Sequence, residues 1–223
     1  MERLRDREQA GRLLAKRLAR YSNRPDVLVL GLPRGGIQVA YAIAHTLGVS
    51  LDVLIVRKLA VPGYKEFAMG AVSIGGAQFI NLDVVEEFHL SQSEIEKVVS
   101  GELGEIARLE REYRGSSPPL DVRGRTTILV DDGMATGSTV RAAIEALKRL
   151  GSVRIVVAVG VAPLSTYLLL GPEADEVVSL MTPRELRGIG QFYKSFPQVT
   201  DAEVRRLLHR SMAPGVRGAA ACS

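Results

Sequence analysis

The sequence predicts an α/β fold: a doubly wound, mostly parallel sheet with helices on both faces. Three observations lead to this prediction. Apolar runs of strand length alternate with helical patterns along most of the chain. These runs are continuously apolar, which is typical of strands that are buried on both faces. Loops rich in glycine or in charge follow three of the runs, and ligands of such sheets bind beyond the carboxyl ends of the strands.

The first elements are a helix and then a strand–helix–strand unit. Leucines spaced over residues 4–18 among charged residues predict a helix that ends near Tyr21. Its arginine-rich face is predicted to be solvated. Residues 27–31 predict a buried strand, residues 37–48 a helix that ends at a glycine, and residues 51–56 a second strand. These three segments predict a βαβ unit.

The middle of the chain predicts an antiparallel pair and a long helix. Residues 57–66 show no clear periodicity. Residues 68–81 predict a short hairpin or a bulged antiparallel pair around two glycines. Ser91 and Glu94 have the spacing of a capping box, so a helix is predicted over residues 90–113.

The later elements restore the strand–helix alternation. They are a strand at residues 126–130 with a helix after it, a strand at Arg154–Val161, a helix near Leu164–Leu170 and a strand at Glu176–Met181. Residues 212–223 are mostly small and are expected to be disordered.

Composition favours a compact domain that acts on a small anionic substrate. The chain has 223 residues, a formal charge of +4 and a pI of about 9.4. Its basic residues are mostly mixed with acids, and aromatic residues make up only 5%. A mild basic excess suits an anionic metabolite, and nucleic acid is not an expected partner.

Cysteine content and hydropathy restrict the expected cellular compartment and the possible disulfide and metal sites. Cys222 is the single cysteine, so the chain cannot form a disulfide within itself or a cysteine-based metal site. No apolar stretch reaches the length that spans a bilayer, and the N-terminus lacks a signal-peptide core. We therefore expect a cytoplasmic protein without a membrane partner.

Residues 127–139 carry the strongest functional signal. An apolar strand ends at Asp131 and Asp132, and a loop of small residues leads directly into a helix. Backbone N–H groups of such a loop bind phosphate, and carboxylates accept hydrogen bonds from ribose hydroxyls. The alternative is a strand end followed by a capped helix. Two adjacent acids at the end of a buried strand are costly without partners, which favours a ligand.

This segment, ILVDDGMATGST, resembles the signature of the type I phosphoribosyltransferases, which bind 5-phosphoribosyl 1-pyrophosphate. The resemblance covers residues 27–181 in architecture. It implies one domain over residues 1–223, with a core at about 24–181. It also implies a small hood made of the terminal segments, including about 182–211, and a short antiparallel insertion. Gly133 departs from the family pattern, in which aliphatic residues are usual.

The resemblance assigns the acid pair and its loop to the donor's ribose 5-phosphate. Asp131 and Asp132 would hold the ribose 2- and 3-hydroxyls. The residues that would surround the 5-phosphate are Ala135, Thr136, Gly137, Ser138 and Thr139. Members that act on hypoxanthine or guanine often have a third acid where this chain has Ala135, and its absence argues against that subgroup.

Two further segments would contact the pyrophosphate. Arg34, Gly35 and Gly36 match the loop that binds it through backbone N–H groups, although glycines there also serve simply to turn the chain. Arg57 and Lys58 match a basic position in the family. The alternative for these two residues is a pair of charges at a strand end.

The remaining implied elements are a mobile loop and the hood. Residues 59–68 would close over the site and exclude water, with Tyr64 and Lys65 as contacts. Phe192, Tyr193 and Phe196 would either stack on a nucleobase or form part of the hood core.

The implied reaction transfers the phosphoribosyl group to a nitrogen nucleophile, such as a nucleobase, with release of pyrophosphate. Catalytic roles would fall to Asp131, Asp132 and Lys58. Mg²⁺ would be held mainly by the donor and water, without a site made only of protein ligands. A homodimer is a further expectation from the family, and the acceptor stays open. The alternatives are a non-catalytic regulator that senses the donor or a nucleotide, and a generic doubly wound nucleotide binder.

Overall fold

The computed structural model describes residues 3–115 and 118–212, without the side chains of Lys65, Glu66 and Met212. The predicted disordered tail lies, except for Met212, outside the described residues.

Eight strands and seven α-helices make up the described part of the chain. The strands are β1 (Val27–Gly31), β2 (Ser50–Val53), β3 (Val56–Val61), β4 (Tyr64–Ser73), β5 (Gln78–Ile80), β6 (Thr126–Asp131), β7 (Arg154–Val161) and β8 (Glu176–Met181). The helices are α1 (Arg7–Arg17), α2 (Gly35–Leu47), α3 (Leu82–Glu87), α4 (Gln92–Arg114), α5 (Ser138–Arg149), α6 (Leu164–Leu170) and α7 (Asp201–Met212). Short 3₁₀ turns lie at Ala19–Tyr21, Ile74–Gly76 and Ile189–Phe192.

The main sheet has five parallel strands in the order β2-β1-β6-β7-β8. The chain leaves β1 toward β2 on one side, and β6 pairs with β1 on the other. Gly31 at the end of β1 is in register with Val130 near the end of β6. The loops that follow these two strands therefore lie side by side, at the position where doubly wound sheets bind ligands.

Helices cover both faces of this sheet, which confirms the predicted fold class. Val27 and Val29 of β1 pack in one buried cluster with residues of α1, α2 and α7. Leu28 and Leu30 pack in a second cluster with residues of α5. Because successive side chains of a strand point to opposite faces, these alternate residues bury the strand on both sides.

A second, antiparallel sheet of three strands has the order β3-β4-β5. It confirms the predicted pair around Gly75–Gly76, which joins β4 to β5. Residues 57–66, which show no clear periodicity in the sequence, form part of the hairpin of β3 and β4. Register shifts near Ala60 interrupt the alternation of side chains, which explains the missing periodicity.

The two ends of the described chain meet on the main sheet. The backbone N–H of Leu4 donates to the carbonyl of Phe192, and the N–H of Lys194 donates to the carbonyl of Leu4. Leu4 and Tyr193 share a small buried cluster with Val161. The terminal segments thus come together as the hood prediction requires. None of the described helices combines the length and apolar character needed to cross a membrane.

Candidate active site

Asp131 and Asp132 stand at the carboxyl end of β6 and differ in their surroundings. Asp131 is half-buried, and its Oδ1 accepts a hydrogen bond from the backbone N–H of Asp132 at 2.8 Å. Asp132 is buried, and its Oδ2 accepts from Nε of Arg7 at 2.7 Å. The two predicted acids therefore lie at the sheet edge as expected, and one of them has a buried cationic partner.

The protein surroundings disfavour the charged form of both acids. Burial raises the pKa of Asp131 well above its usual range, and the neighbouring Asp132 raises it further. Burial also raises the pKa of Asp132, and the hydrogen bond from Arg7 opposes that rise. A pair of carboxyl groups with raised pKa values at a ligand-binding edge is typical of a functional site.

Arg7 is a site residue that the sequence reasoning missed. Its side chain is 7% exposed, although the arginine-rich face of this helix was predicted to be solvated. Nη1 donates to the carbonyl of Pro197 at 2.7 Å, and the guanidinium lies 3.7 Å from the ring centroid of Phe196. The sequence does indicate that Arg7 is buried, because helical spacing places Arg7 on the same face of the helix as Leu14 and Leu18.

The loop after the acids ends at the N-terminus of α5. Gly137 has a φ of +78°, a left-handed conformation that suits glycine, and α5 begins at the next residue. Oγ1 of Thr166 donates to the carbonyl of Ala135 at 2.6 Å and so fixes the loop. The hydroxyl oxygens of Thr136 and Ser138 are 3.1 Å apart. The hydroxyls of Thr136 and Ser138 therefore lie next to the N-terminal N–H groups of α5, which have no hydrogen-bond partner within the helix.

Gly133, the departure from the family pattern, has a tertiary explanation. A Cβ on Gly133 would lie 2.5 Å from Cγ2 of Ile189 and 2.8 Å from its Cδ1. Ile189 belongs to the 3₁₀ turn of the C-terminal segment. It packs against the buried cluster of Leu4, Val161 and Tyr193, called the terminal cluster below. An aliphatic group from the hood thus occupies the space that a side chain at position 133 would need.

The loop after β1 lies directly against the acid pair. The peptide between Pro33 and Arg34 is cis, and α2 begins at Gly35. A Cβ on Gly35 would lie 1.9 Å from Oδ2 of Asp132, and a Cβ on Gly36 would lie 2.6 Å from the carbonyl oxygen of Val130. Both glycines are therefore required for close approach. The structure brings the two predicted loops together.

An open cavity adjoins this loop. Its volume is about 350 Å³, and its walls are Arg7, Arg34, Gly35 and the stretch Phe196, Pro197, Gln198 and Val199. Arg34 is half exposed, with Nη1 4.0 Å from Oδ2 of Asp201 at the start of α7. The cavity thus lies between the glycine loop and the C-terminal segment.

Arg57 and Lys58 lie on β3 rather than in a loop. Nε of Arg57 donates to Glu102 of α4 at 2.8 Å, and Lys58 is exposed. Tyr64 and Phe67, near the turn of the same hairpin, are also exposed and pack against Phe88. The roles predicted for the hairpin at the pyrophosphate and as a closing loop stay predictions, and the side chain of Lys65 lies outside the described residues.

The three aromatic residues of the C-terminal segment serve mainly in packing. Tyr193 is 2% exposed, and its hydroxyl donates to the backbone carbonyl of Asp132 at 2.6 Å. Phe196 packs against Tyr193, and Arg7 covers its ring. Phe192 is partly buried in the same cluster. Of the two alternatives for these residues, the structure favours the hood core.

Sequence comparisons agree with this geometry. The family model described as the phosphoribosyl transferase domain matches residues 2–170. Proteins from two Mycobacterium tuberculosis strains, each named "Putative phosphoribosyl transferase", are 41% identical to the chain over 206 residues, which is 92% of this chain and 46% of each relative. The chain therefore spans about half the length of the curated relatives it matches.

Solved structures share the overall fold of this chain. TT1426 from Thermus thermophilus is 39% identical, with a TM-score of 0.79 over 93% of this chain and 98% of that one. A hypothetical protein from Neisseria gonorrhoeae with bound ppGpp is 13% identical, with a TM-score of 0.50 over 94% of this chain and 98% of that one, and shares the fold alone. With the acid pair, its loop and the glycine loop at one edge of the sheet, the chain belongs to the phosphoribosyl transferase domain family.

Proposed function

We propose that the protein transfers the phosphoribosyl group of 5-phosphoribosyl 1-pyrophosphate to a nitrogen atom of an acceptor, with release of pyrophosphate. One observation carries this proposal. The N-termini of two long helices, α2 and α5, follow the neighbouring strands β1 and β6, and the acid pair lies between them. A donor with a phosphate at one end, a pyrophosphate at the other and two hydroxyls between them matches this arrangement.

Different residues bind the three parts of the donor: the 5-phosphate, the ribose and the pyrophosphate. The 5-phosphate binds at the N-terminus of α5, where Thr136, Ser138 and Thr139 supply hydroxyls and the backbone of Ala135 and Gly137 supplies N–H groups. The ribose hydroxyls donate to Asp131 and Asp132. The pyrophosphate binds backbone N–H groups in the loop of Arg34, Gly35 and Gly36. The two glycines allow this loop to pack directly against the acid pair.

The chemistry requires stabilisation of the leaving group more than a strong nucleophile. The bond from the anomeric carbon to the pyrophosphate oxygen breaks, and the bond from that carbon to the acceptor nitrogen forms. Positive charge grows on the ribose ring while negative charge grows on the pyrophosphate. Carboxylates near the ring and N–H groups near the pyrophosphate are arranged for these charges. Arg34, with Arg57 and Lys58 on the hairpin, adds positive charge at the pyrophosphate.

Magnesium fits this site as an ion carried by the donor. In residues 3–115 and 118–212, no three His, Cys, Asp or Glu side chains cluster as a metal site. The ion would instead be held mainly by oxygens of the donor and by water. When bound, Mg²⁺ neutralises charge on the leaving pyrophosphate.

The acceptor is proposed to be a flat nitrogen heterocycle other than hypoxanthine or guanine. Ala135 stands where an acid would assist those purines. The cavity of about 350 Å³ beside Arg34 and Phe196 lies next to the donor's proposed position and is large enough for a single heterocycle. The segment from Phe196 to Val199 would then form the acceptor side of the site.

The test is donor binding followed by a screen for turnover. Calorimetry with 5-phosphoribosyl 1-pyrophosphate and Mg²⁺ should show binding, and Asp131→Asn with Asp132→Asn should abolish it. Asp83→Asn, an exposed acid on α3, is the matched control and should bind like the wild type. Pyrophosphate release would then be measured over a panel of nucleobases. Donor binding without release for any base would favour the regulatory alternative, and no binding at all would refute the proposal.

A further inference from the structure

We propose that Arg7 is a positioning residue that orients Asp132 and ties the acid pair to the C-terminal segment. This inference rests on the proposed function, because it assigns Arg7 to the ribose-binding carboxylate. Neither the family signature nor the arginine-rich pattern of the first helix singled this residue out. The inference predicts that the two ends of the described chain complete the site together.

Three contacts fix the guanidinium of Arg7. Nε donates to Oδ2 of Asp132 at 2.7 Å, Nη1 donates to the carbonyl of Pro197 at 2.7 Å, and the plane lies 3.7 Å from the centroid of Phe196. The side chains of Arg7 and Asp132 are only 7% and 13% exposed. The guanidinium of Arg7 is held by two hydrogen bonds and by stacking on Phe196. The Asp132 carboxylate that it binds therefore has little freedom to rotate.

The backbone of Arg7 is also fixed. Asp6 caps α1, and its side chain accepts a hydrogen bond from the N–H of Gln9 at 2.7 Å. Arg7 is the first residue of this helix, and Ala10 and Leu14 behind it are fully buried. The helix therefore presents the guanidinium from a rigid base, as a positioning residue requires.

Arg7 also supports the charge of Asp132. The ionisable groups facing this carboxyl are Asp131 on β6, Arg7 on α1 and Tyr193 in the C-terminal segment. Burial raises the pKa of Tyr193, as do Asp132 and Asp131, so its hydroxyl stays neutral. The two neighbouring acids disfavour a second negative charge, because Asp132 raises the pKa of Asp131. Arg7 is the cation among these groups. It favours the ionised carboxylate, which is the form that accepts hydrogen bonds from a ribose hydroxyl.

The same contacts link the donor site to the acceptor side. Pro197 and Phe196 contact Arg7 and also line the cavity next to the glycine loop. Tyr193 holds the backbone of Asp132 from the same segment. A shift of this segment on acceptor binding would therefore act on Asp132 through Arg7 and Tyr193.

The experiment measures donor affinity against pH in Arg7→Met and Arg7→Lys. Arg7→Met keeps an unbranched stem about as far as the position of Nε and removes the guanidinium, so donor affinity should fall about 10- to 100-fold, the range for hydrogen bonds to charged groups. Without Arg7 the carboxyl protonates more readily, so the loss of affinity on acidification should begin at a higher pH than in the wild type. Arg7→Lys restores the positive charge without the planar guanidinium, so it should recover part of the donor affinity. It should also return the acid limb, which is the fall in affinity on acidification, most of the way to its wild-type pH.

Arg12→Met is the matched control, since Arg12 lies on the same helix, is exposed and pairs with the exposed Glu8. It should leave donor affinity and its pH dependence unchanged. Equal affinity and an equal acid limb in wild type and Arg7→Met would overturn the inference while leaving the proposed function intact. A fall in affinity with an unshifted acid limb, unchanged in Arg7→Lys, would also overturn it, because that pattern indicates a purely structural role.

A double-mutant cycle separates this inference from the proposed function. The free energy of unfolding would be measured for Arg7→Met, Asp132→Asn and both together, without any donor. If the two side chains act as a pair, the effects are not additive, because Asp132→Asn removes the charge that Arg7→Met leaves unpartnered. Additive effects would refute the pairing, whether or not the wild type binds the donor. Absence of donor binding by the wild type refutes the proposed function alone.

Discussion

The contact between Gly133 and Ile189 tests how the hood packs against the loop that follows Asp131 and Asp132. Gly133→Ala adds a Cβ that would lie 2.5 Å from Cγ2, 2.8 Å from Cδ1 and 3.2 Å from Cγ1 of Ile189. These distances are well below ordinary carbon–carbon contact, which is about 3.5–4.0 Å. The chain must therefore move Ile189 or the loop. Ile189 is held by its packing in the terminal cluster, and the loop is held by hydrogen bonds to the carbonyl of Asp132 and from the N–H of Met134.

The expected cost follows from overpacking. Forcing one methyl group into a packed site costs about 1–3 kcal/mol of unfolding free energy. For a chain of this size, that corresponds to a fall in Tm of about 2–4 °C for each kcal/mol. Ile189→Ala alone should cost about 1–2 kcal/mol, less than a fully buried isoleucine, because Ile189 is half-buried.

The assay is urea unfolding followed by circular dichroism for both single variants and the double variant. Ile189→Ala removes all three clashing atoms, so adding Gly133→Ala to it should change stability by less than about 0.5 kcal/mol. Gly101→Ala is the control, since Gly101 lies on α4 with no atom near its added Cβ, and it should stabilise by about 0.5–1 kcal/mol. The reasoning is refuted if Gly133→Ala is harmless in the wild type or equally damaging in both backgrounds.

Three further variants test the remaining contacts of the acid pair. Tyr193→Phe removes the donor to the buried carbonyl of Asp132 and should cost about 1–3 kcal/mol in urea unfolding; no change would show that water replaces the hydroxyl. Asp131→Asn should stabilise by about 0.5–2 kcal/mol at neutral pH and weaken donor binding. Because the pKa of Asp131 is raised in the folded protein, its stabilising contribution is complete below about pH 4 and declines as the pH rises through the folded pKa, so the gain should vanish near pH 4. A gain that is the same at every pH would contradict this assignment. Gly36→Ala places a Cβ against the backbone of Val130 and should lower stability by about 1–3 kcal/mol and weaken donor binding, as compared by calorimetry with Gly101→Ala.

Local patterns predicted most of the main sheet and the centre of the site. The strands Val27–Gly31 and Arg154–Val161 match the predicted bounds, because a continuously apolar run between turn residues is a local signal. The β3–β4 hairpin was missed, since its register shifts break the period of two that a strand is recognised by. The short helix α3 was missed as well, because six residues give too little periodicity.

The alternating fold and the acid pair at a strand end follow from local patterns, because each depends on residues that are neighbours along the chain. That the loops after β1 and β6 lie side by side depends on the pairing of these two strands, which are far apart in sequence. The partners that surround the acids can be identified only in the folded protein. Arg7 reaches Asp132 across 125 residues of sequence, and Tyr193 reaches it across 61. Ile189 likewise explains why residue 133 is glycine. A hydrogen bond or a steric contact between distant segments leaves no period and no spacing in the sequence, so these roles become visible only when the chain is folded.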